Sequence, residues 1–200
     1  MTNIYGLGIE TDTSPLTKQE PADGYTSRGA DPRITPITTI ALSTDYGPYV
    51  LMDSDERTLL ERLNLLLGIL EPGILATWNG AVFDLPFLHD RAKMHGVELD
   101  LKLVENPGVV PEGNPTPGHA GGYDATWGDH EHVDVAYLAK DDAEKKGLEW
   151  SLKPYAAAIL GTIPETVDRE GIHELSATAL RDYVASDAII TRELAQKIQS

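Results

Sequence analysis

The sequence contains no cysteine, and this absence excludes two kinds of structure. Without thiols the chain can form neither a disulfide framework nor a thiolate metal site. The first residues also lack a basic segment followed by an apolar run, so we expect no secretion signal. We therefore expect a cytoplasmic location by default, although an absence of cysteine is compatible with any compartment.

Long apolar runs and basic residues are also scarce. No stretch approaches the roughly 18 consecutive apolar residues that span a bilayer, so we expect no membrane segment. The chain has 16 basic residues against 32 acidic ones, which gives a formal charge of −16. Nucleic-acid binders usually carry a basic patch, because neutralising phosphates supplies much of their affinity. The charge thus argues against tight non-specific DNA binding, and it indicates either a solvated surface or carboxylates clustered to hold divalent cations.

What is present is typical of a globular domain. With 200 residues, of which 41% are apolar, the chain can bury a real core. We expect one domain over residues 1–200, because no repeat or composition shift divides the chain. A Gly- and Pro-rich stretch at about 106–128 has no periodic pattern and is predicted to be a long loop, either functional or mobile.

Hydrophobic periodicity predicts an α/β domain with a mixed sheet. The predicted strands cover residues 4–10, 37–43, 49–52 and 74–78, and the first three form a meander. A leucine stripe predicts a helix that begins after a Ser54 cap and stops before Pro72 and Gly73. Further helices are predicted from Pro86 to Gly96, at 148–160 and at 176–198. Alternating strands and helices after a meander favour the α/β class.

Three short segments, far apart in the sequence, each place a carboxylate at the end of an ordered element. They run from Gly8 to Asp12, from Asn79 to Asp84 and from Tyr183 to Asp187. Taken alone, each has a structural explanation. The first could be loop residues, Asp84 could cap a helix, and the last pair could be a surface contact between residues four apart. The combination and its order are far more specific than any one member.

That combination resembles the DnaQ-like, or DEDD, family of 3′–5′ exonucleases in its tyrosine form. The segment Asn79-Gly80-Ala81-Val82-Phe83-Asp84 matches the second family motif, and Tyr183-x-x-x-Asp187 matches the third. The residues from Trp78 to Pro86 are most similar to the second motif of proofreading domains of family B polymerases and their stand-alone relatives. His132-Val133-Asp134 resembles a segment that these domains carry between the two motifs.

The resemblance implies a fold and an activity. The fold would be ribonuclease H-like, with a five-stranded mixed sheet flanked by helices. The activity would be hydrolysis of terminal phosphodiesters of single-stranded DNA, or RNA, to nucleoside 5′-monophosphates. It would depend on two divalent cations, magnesium or manganese, and its partners would be single-stranded 3′ ends, with any protein partner unknown.

The resemblance also implies residue roles. Glu10 would bind the tightly held metal and orient the attacking water, and Asp187 would hold the same metal. Asp84 would help to hold the second metal through water, and Tyr183 would position the attacking water. Weaker candidates are Asn79 and Phe83 of the second motif, and Asp134.

Gly8 is the departure from the family pattern, because it replaces the leading aspartate of the first motif. In the family that residue contacts both cations, so its loss should lower metal affinity and rate steeply. Asp12 is a poor replacement, since sliding the pair by two residues moves a ligand by about 6.6 Å. Magnesium requires near-octahedral oxygens at about 2.1 Å, which such a displacement does not provide.

Two other functions remain open from the sequence. One is a catalytically inactive module that keeps the exonuclease fold to bind nucleic acid or a protein partner. The other is a hydrolase of nucleotides or short oligonucleotides. His119 and residues 129–132 could suggest zinc, but their spacing fits no zinc signature and a polar loop is the better interpretation. Trp78 and Trp127 could stack on bases, although core packing is favoured for Trp78.

Overall fold

The computed structural model describes residues 2–12, 14, 31–112, 115–162, 164–167, 172 and 174–199. Within them the chain forms seven strands and five helices. The strands are β1 (Asn3–Thr11), β2 (Ile37–Thr44), β3 (Gly47–Met52), β4 (Gly73–Thr77), β5 (Leu101–Asn106), β6 (Gly122–Trp127) and β7 (His130–Asp134). The helices are α1 (Glu56–Ile69), α2 (Asp84–His95), α3 (Val135–Lys146), α4 (Leu152–Leu160) and α5 (Ala177–Ile198). No helix in these ranges is long and apolar enough to cross a membrane.

The strands form a mixed sheet in the order β3-β2-β1-β4-β7-β6-β5. β1 pairs in parallel with β4, and β4 pairs in parallel with β7, while the outer pairs are antiparallel. The α/β class and the mixed sheet are confirmed. The sheet of the described residues has seven strands instead of the expected five, because a β5–β6 hairpin extends it at one edge.

The predicted loop at 106–128 is therefore too long at its carboxyl end. Its last part forms β6, which pairs with both β5 and β7. Gly122 belongs to this strand because the backbone passes close to Val109, where an added Cβ would lie 2.3 Å from a methyl group. The glycine thus marks a close approach within a strand, whereas composition alone indicates a loop residue.

The two faces of the sheet are covered by different helices. The leucines of α1 pack with Leu7, Ile9 and α2 in one large apolar core, while α3, α4 and α5 enclose a second core with Ile4. Helix α1 begins with Asp55 as its cap, and not with Ser54, because the Asp55 carboxylate accepts a hydrogen bond from the Thr58 N–H. The expected end of α2 at Gly96, in the left-handed conformation, is confirmed.

β1 presents alternate residues to the two cores, and its α5-facing side is unusually small. An added Cβ on Gly6 would lie 2.1 Å from the carbonyl oxygen of Ala188. Ala41 of β2 and Ala188 of α5 pack together on this face with Val184. Small side chains therefore allow α5 to lie directly on β1 and β2, which sets the position of the α5 residues relative to Glu10.

Candidate active site

A cleft of about 840 Å³ opens at the carboxyl ends of β1 and β4. The two strands are parallel, so their carboxyl ends meet at one edge of the sheet. The beginnings of α2, α3 and α4 and the middle of α5 complete its walls. The residues that line it are Leu7, Gly8, Ile9, Glu10, Thr11, Trp78, Asn79, Phe83, Asp84, Glu112, Ala136, Trp150, Ser151, Leu152, Ile172, Tyr183, Val184, Asp187 and Thr191.

The three motif segments meet in this cleft, although they are far apart in sequence. The lining residues include every principal candidate and two of the weaker ones, namely Gly8, Glu10, Asn79, Phe83, Asp84, Tyr183 and Asp187. Asp12 and Asp134 are not among them. The fold therefore brings one carboxylate from β1, one from α2 and one from α5 to a single concave surface.

A tight turn between β4 and α2 presents Asp84. Asn79 adopts a left-handed conformation with φ of 65°, which asparagine tolerates better than most residues. The Asn79 carbonyl accepts hydrogen bonds from the N–H groups of Val82 and Phe83. At Gly80 an added Cβ would lie 2.3 Å from the Thr77 hydroxyl oxygen, so a glycine is required. The Asn-Gly pair of the second motif is thus explained by backbone geometry.

Asp134 holds this turn from outside the cleft. Its carboxylate accepts hydrogen bonds from the N–H of Asn79 at 2.9 Å and from the N–H of Ala81 at 2.8 Å. It also caps α3 through the N–H of Ala136. Burial raises the pKa of Asp134 to about 6, and the backbone N–H groups limit that rise. Asp134 therefore positions the 79–81 turn and is not among the residues that line the cleft.

Asp84 is a strongly perturbed carboxyl group at the cleft. It begins α2, where Phe83 is the cap residue, and the Phe83 side chain makes no capping hydrogen bond. Burial, reinforced by the charge of Asp134, raises the pKa of Asp84 to about 7, while the backbone N–H groups of Ile9 and Asp84 itself oppose the rise. A buried carboxylate with this proton affinity is typical of a functional site, because a bound cation would relieve the cost of ionising it.

Lys153 of α4 lies against Tyr183 and Asp187 of α5, and the sequence motifs do not reveal it. The ammonium group of Lys153 lies 3.2 Å from the Asp187 carboxylate and 3.7 Å from the centroid of the Tyr183 ring. It also donates to the Glu165 carbonyl. Lys153 stands in the first turn of α4, where the helix dipole disfavours a cation. That unfavourable placement is the one signal that the sequence offered.

Gly8 lies on the cleft wall in open space. A Cβ added there would meet nothing within 4 Å, and the backbone is ordinary paired strand opposite Ala41. The fold therefore does not require glycine at this position. A carboxylate side chain would extend into the cleft beside Glu10.

Asp12 does not fill the gap left by Gly8. The pairing of β1 with β2 shifts between Glu10 and Thr11, so the strand alternation that would align Asp12 with Glu10 is broken. The Asp12 carboxylate instead accepts a hydrogen bond from the Ser14 N–H at 2.8 Å. The expectation that Asp12 is a poor replacement agrees with this geometry.

The donor set at the cleft suits a hard divalent cation in chemistry. Glu10, Asp84 and Asp187 offer carboxylate oxygens, which magnesium and manganese prefer. Among the described residues, however, no three acidic or histidine side chains converge into a preformed metal site. Glu10, Asp84 and Asp187 therefore supply carboxylate chemistry to one cleft without a preformed cation geometry, and Gly8 adds no ligand to the set.

The three histidines considered as zinc ligands have structural partners. His119 lies between Asp90, at 3.0 Å, and the Tyr123 hydroxyl, at 2.6 Å. Burial lowers the pKa of His132 to about 4, and its ring nitrogen lies 2.8 Å from the Thr77 hydroxyl. His130 lies buried against Leu67. The rejection of a zinc cluster therefore agrees with these contacts.

The two tryptophans differ. Trp127 is 1% exposed and its indole N–H donates to Asn64, so it is a core residue. Trp78 packs against Tyr155 with ring centroids 5.9 Å apart, yet it also lines the cleft. Trp150, which lies outside the three motif segments, lines the cleft as well.

The sequence is similar to those of family B DNA polymerases. The family described as DNA polymerase family B, exonuclease domain, matches residues 22–110. The chain is 27% identical over 151 residues to the catalytic polypeptide of DNA polymerase epsilon from Saccharomyces cerevisiae, a match that covers 74% of this chain and 6% of that protein. It is 28% identical over 155 residues to the corresponding polypeptide from Schizosaccharomyces pombe, covering 76% of this chain and 6% of that protein. This chain thus spans a small part of these relatives.

A solved structure supports the fold. The family B DNA polymerase of the hyperthermophilic archaeon Pyrobaculum calidifontis superposes with a TM-score of 0.71 and 21% sequence identity. The superposition covers 100% of this chain and 25% of that polymerase. The expected ribonuclease H-like α/β fold is confirmed.

Proposed function

We infer that this chain, a DnaQ-like proofreading exonuclease domain related to those of family B DNA polymerases, hydrolyses the last phosphodiester at 3′ ends of single-stranded DNA. One observation carries the inference. Glu10, Asp84, Tyr183 and Asp187 come from three distant segments and line one cleft. A structural role for each residue alone would not require that they share a surface.

The reaction is the attack of water on the terminal phosphodiester. A bond forms between the water oxygen and phosphorus, and the bond from phosphorus to the 3′ oxygen of the preceding nucleotide breaks. That oxygen takes a proton, and a nucleoside 5′-monophosphate leaves. Magnesium or manganese, held by Glu10, Asp84 and Asp187, supplies Lewis acidity at the scissile phosphate when bound.

The protein side chains divide the remaining tasks. Tyr183 is buried on α5 and lines the cleft, which suits its hydroxyl to orient the attacking water. The Lys153 ammonium, beside Asp187, offsets negative charge where a phosphodiester must approach three carboxylates. Asp134 keeps Asp84 in place through the 79–81 turn.

Gly8 makes the chain an attenuated form of this enzyme. The position leaves the site one carboxylate short of the family pattern, so any divalent cations would be held by Glu10, Asp84 and Asp187 alone. We propose weak activity in the present sequence and full activity in a form that restores the ligand.

Restoring the carboxylate tests both statements. We expect Gly8→Asp to raise the rate of 3′ degradation by at least about a hundred-fold, since loss of a ligand costs no less than loss of the groups that orient it. The assay follows shortening of a 5′-labelled single strand in Mn²⁺, with a matched RNA strand in parallel. In the control Gly8→Asn, the side chain has the shape of aspartate without its charge, so the cleavage rate should not rise.

An inactive binding module is the second candidate, and the open space at Gly8 favours it. If Gly8→Asp binds the strand but cleaves it no faster than the parent, the result supports the binding module and contradicts the exonuclease. If the parent already degrades the strand at the rate of Gly8→Asp, the proposed attenuation is wrong. Faster cleavage of RNA than of DNA would change the substrate and leave the reaction intact.

A further inference from the structure

The mouth of the cleft carries a cluster of two aromatic rings and a lysine, formed by Tyr137, Lys140 and Trp150. Trp150 lines the cleft next to Ser151 and Leu152. The Lys140 ammonium lies 4.3 Å from the centroid of the Trp150 ring, and the Tyr137 ring meets it edge-on at 5.7 Å. We call these three residues the mouth cluster.

The mouth cluster is held in place before any ligand binds. The indole N–H of Trp150 donates to the Ala136 carbonyl at 2.7 Å, which fixes the ring against the start of α3. The Tyr137 hydroxyl donates to the Val110 carbonyl at 3.0 Å. An aromatic surface that is already ordered loses little entropy when a flat group stacks on it.

Lys140 has an acidic neighbour, Glu112, and Glu112 lines the cleft. The Glu112 carboxylate lies 3.7 Å from the Lys140 ammonium, and the two side chains are 68% and 46% exposed. An ion pair this long and this exposed contributes little to stability. A phosphate can therefore displace Glu112 from Lys140 at small cost.

The charge of the molecule explains why aromatic contacts matter here. With −16 overall and four carboxylates lining the cleft, phosphate attraction alone is a weak source of affinity. Stacking of a base on an aromatic ring is independent of charge and tolerates any base. A strand can thus be held by its bases, with a single lysine serving one phosphate.

We propose that the mouth cluster is a strand-binding subsite, in which a base of the single strand stacks on Trp150 and a neighbouring phosphate takes Lys140 from Glu112. The proposal rests on the proposed function for the identity of the ligand. It assigns Trp150 and Lys140 to substrate binding, Tyr137 to positioning Trp150, and Glu112 to competition with the phosphate.

Binding of a fluorescent single-stranded DNA octamer to the intact chain tests this subsite in the absence of cleavage, with EDTA present. We expect Trp150→Ala to weaken binding by about ten-fold or more and Trp150→Phe to retain most of it. Glu112→Gln should tighten binding by about two-fold to five-fold, because the phosphate no longer competes with a carboxylate. Lys140→Gln should weaken binding and reduce the slope of log affinity against log salt by about one.

The matched control is Tyr49→Ala, which removes an exposed aromatic ring from β3 that does not line the cleft. It should bind like the parent. Because Trp150→Ala could also disturb α3, the decisive variants are Trp150→Phe and Glu112→Gln. If Trp150 were purely structural, Trp150→Ala and Trp150→Phe proteins that remain folded would bind the strand as the parent does. Equal affinity of all these variants, or no binding by the parent at millimolar protein, overturns the subsite.

Failure of the subsite and failure of the proposed function give different results. If Gly8→Asp gains cleavage while the mouth-cluster variants bind as the parent does, the enzyme stands and the subsite is wrong. If Gly8→Asp gains nothing while binding still depends on Trp150, the subsite stands as part of a binding module.

Discussion

Gly6 and Gly8 lie two residues apart on the same face of β1, yet their surroundings are opposite. A Cβ on Gly6 would strike the Ala188 carbonyl at 2.1 Å, whereas a Cβ on Gly8 would meet nothing within 4 Å. Packing of α5 therefore requires glycine at the first position and not at the second. The fold would therefore accept an aspartate at Gly8, and packing gives no reason for the glycine there.

A second comparison is between a position where packing restricts the side chain, Gly6, and one where burial of a charge destabilises the fold, Asp84. Gly6 is limited by the helix above it. Asp84 is limited by charge, because it is buried near Asp134 and three other carboxylates line the same cleft. Three substitutions test this distinction, from the site of largest expected effect to the smallest.

Asp84→Asn should stabilise the cation-free protein most. A carboxyl group whose pKa is about 7 instead of 3.8 costs the fold up to about 4 kcal/mol once ionised at pH 8. Below about pH 4 the group is protonated in folded and unfolded chains and costs nothing. As the pH rises from there to 7, the unfolded chain ionises more readily and stability is lost. We therefore expect the gain from Asp84→Asn to be largest at pH 8 and smaller at pH 5.

Urea unfolding in EDTA at the two pH values measures this gain. Asp182→Asn, which neutralises an exposed carboxylate on α5, is the matched control and should change the free energy of unfolding little. An Asp84→Asn protein that is less stable than the parent at pH 8 would show that the carboxylate is satisfied in the fold. If Asp84 helps to hold a cation, added manganese should raise the free energy of unfolding of the parent more than that of the Asp84→Asn variant.

Gly6→Ala should destabilise the protein by about 3 kcal/mol, since the new methyl group forces α5 away from β1. Chemical denaturation measures the loss. Because α5 carries Tyr183 and Asp187, the displacement should also lower the activity of a Gly8→Asp background. A stable Gly6→Ala protein would mean that α5 can move without cost, and the contrast with Gly8 would disappear.

Much of the fold could be predicted because local patterns determine it. Pro86 lies in the first turn of α2, Gly96 follows its last residue, and Gly161 ends α4, as the sequence predicts. The residues of the second and third motifs stand at the beginning of one helix and within another, so fixing those helices places their side chains. Their meeting in one cleft needed the resemblance to a known family, because no local pattern determines it.

The rest depends on contacts through space, which local patterns do not encode. Lys153 reaches Asp187 only because α4 packs against α5. The irregularity in β1 after Glu10 depends on the pairing with β2, and it is what separates Asp12 from Glu10. β6 could not be predicted because Gly122 is typical of a loop. Its packing against Val109, which explains a glycine within the strand, depends on the tertiary fold.

Gly8→Ala should give the smallest effect and the most direct measure of the open space. Glycine within a strand is less favourable than alanine by about 0.5–1 kcal/mol, and the added methyl group meets no neighbour. The variant should therefore be slightly more stable than the parent in the same denaturation assay that detects the loss from Gly6→Ala. It should gain no cleavage, because the methyl group binds no cation. If Gly8→Ala destabilises the protein as Gly6→Ala does, the space beside Glu10 is closed, and an aspartate there could not act as a ligand without displacing α5.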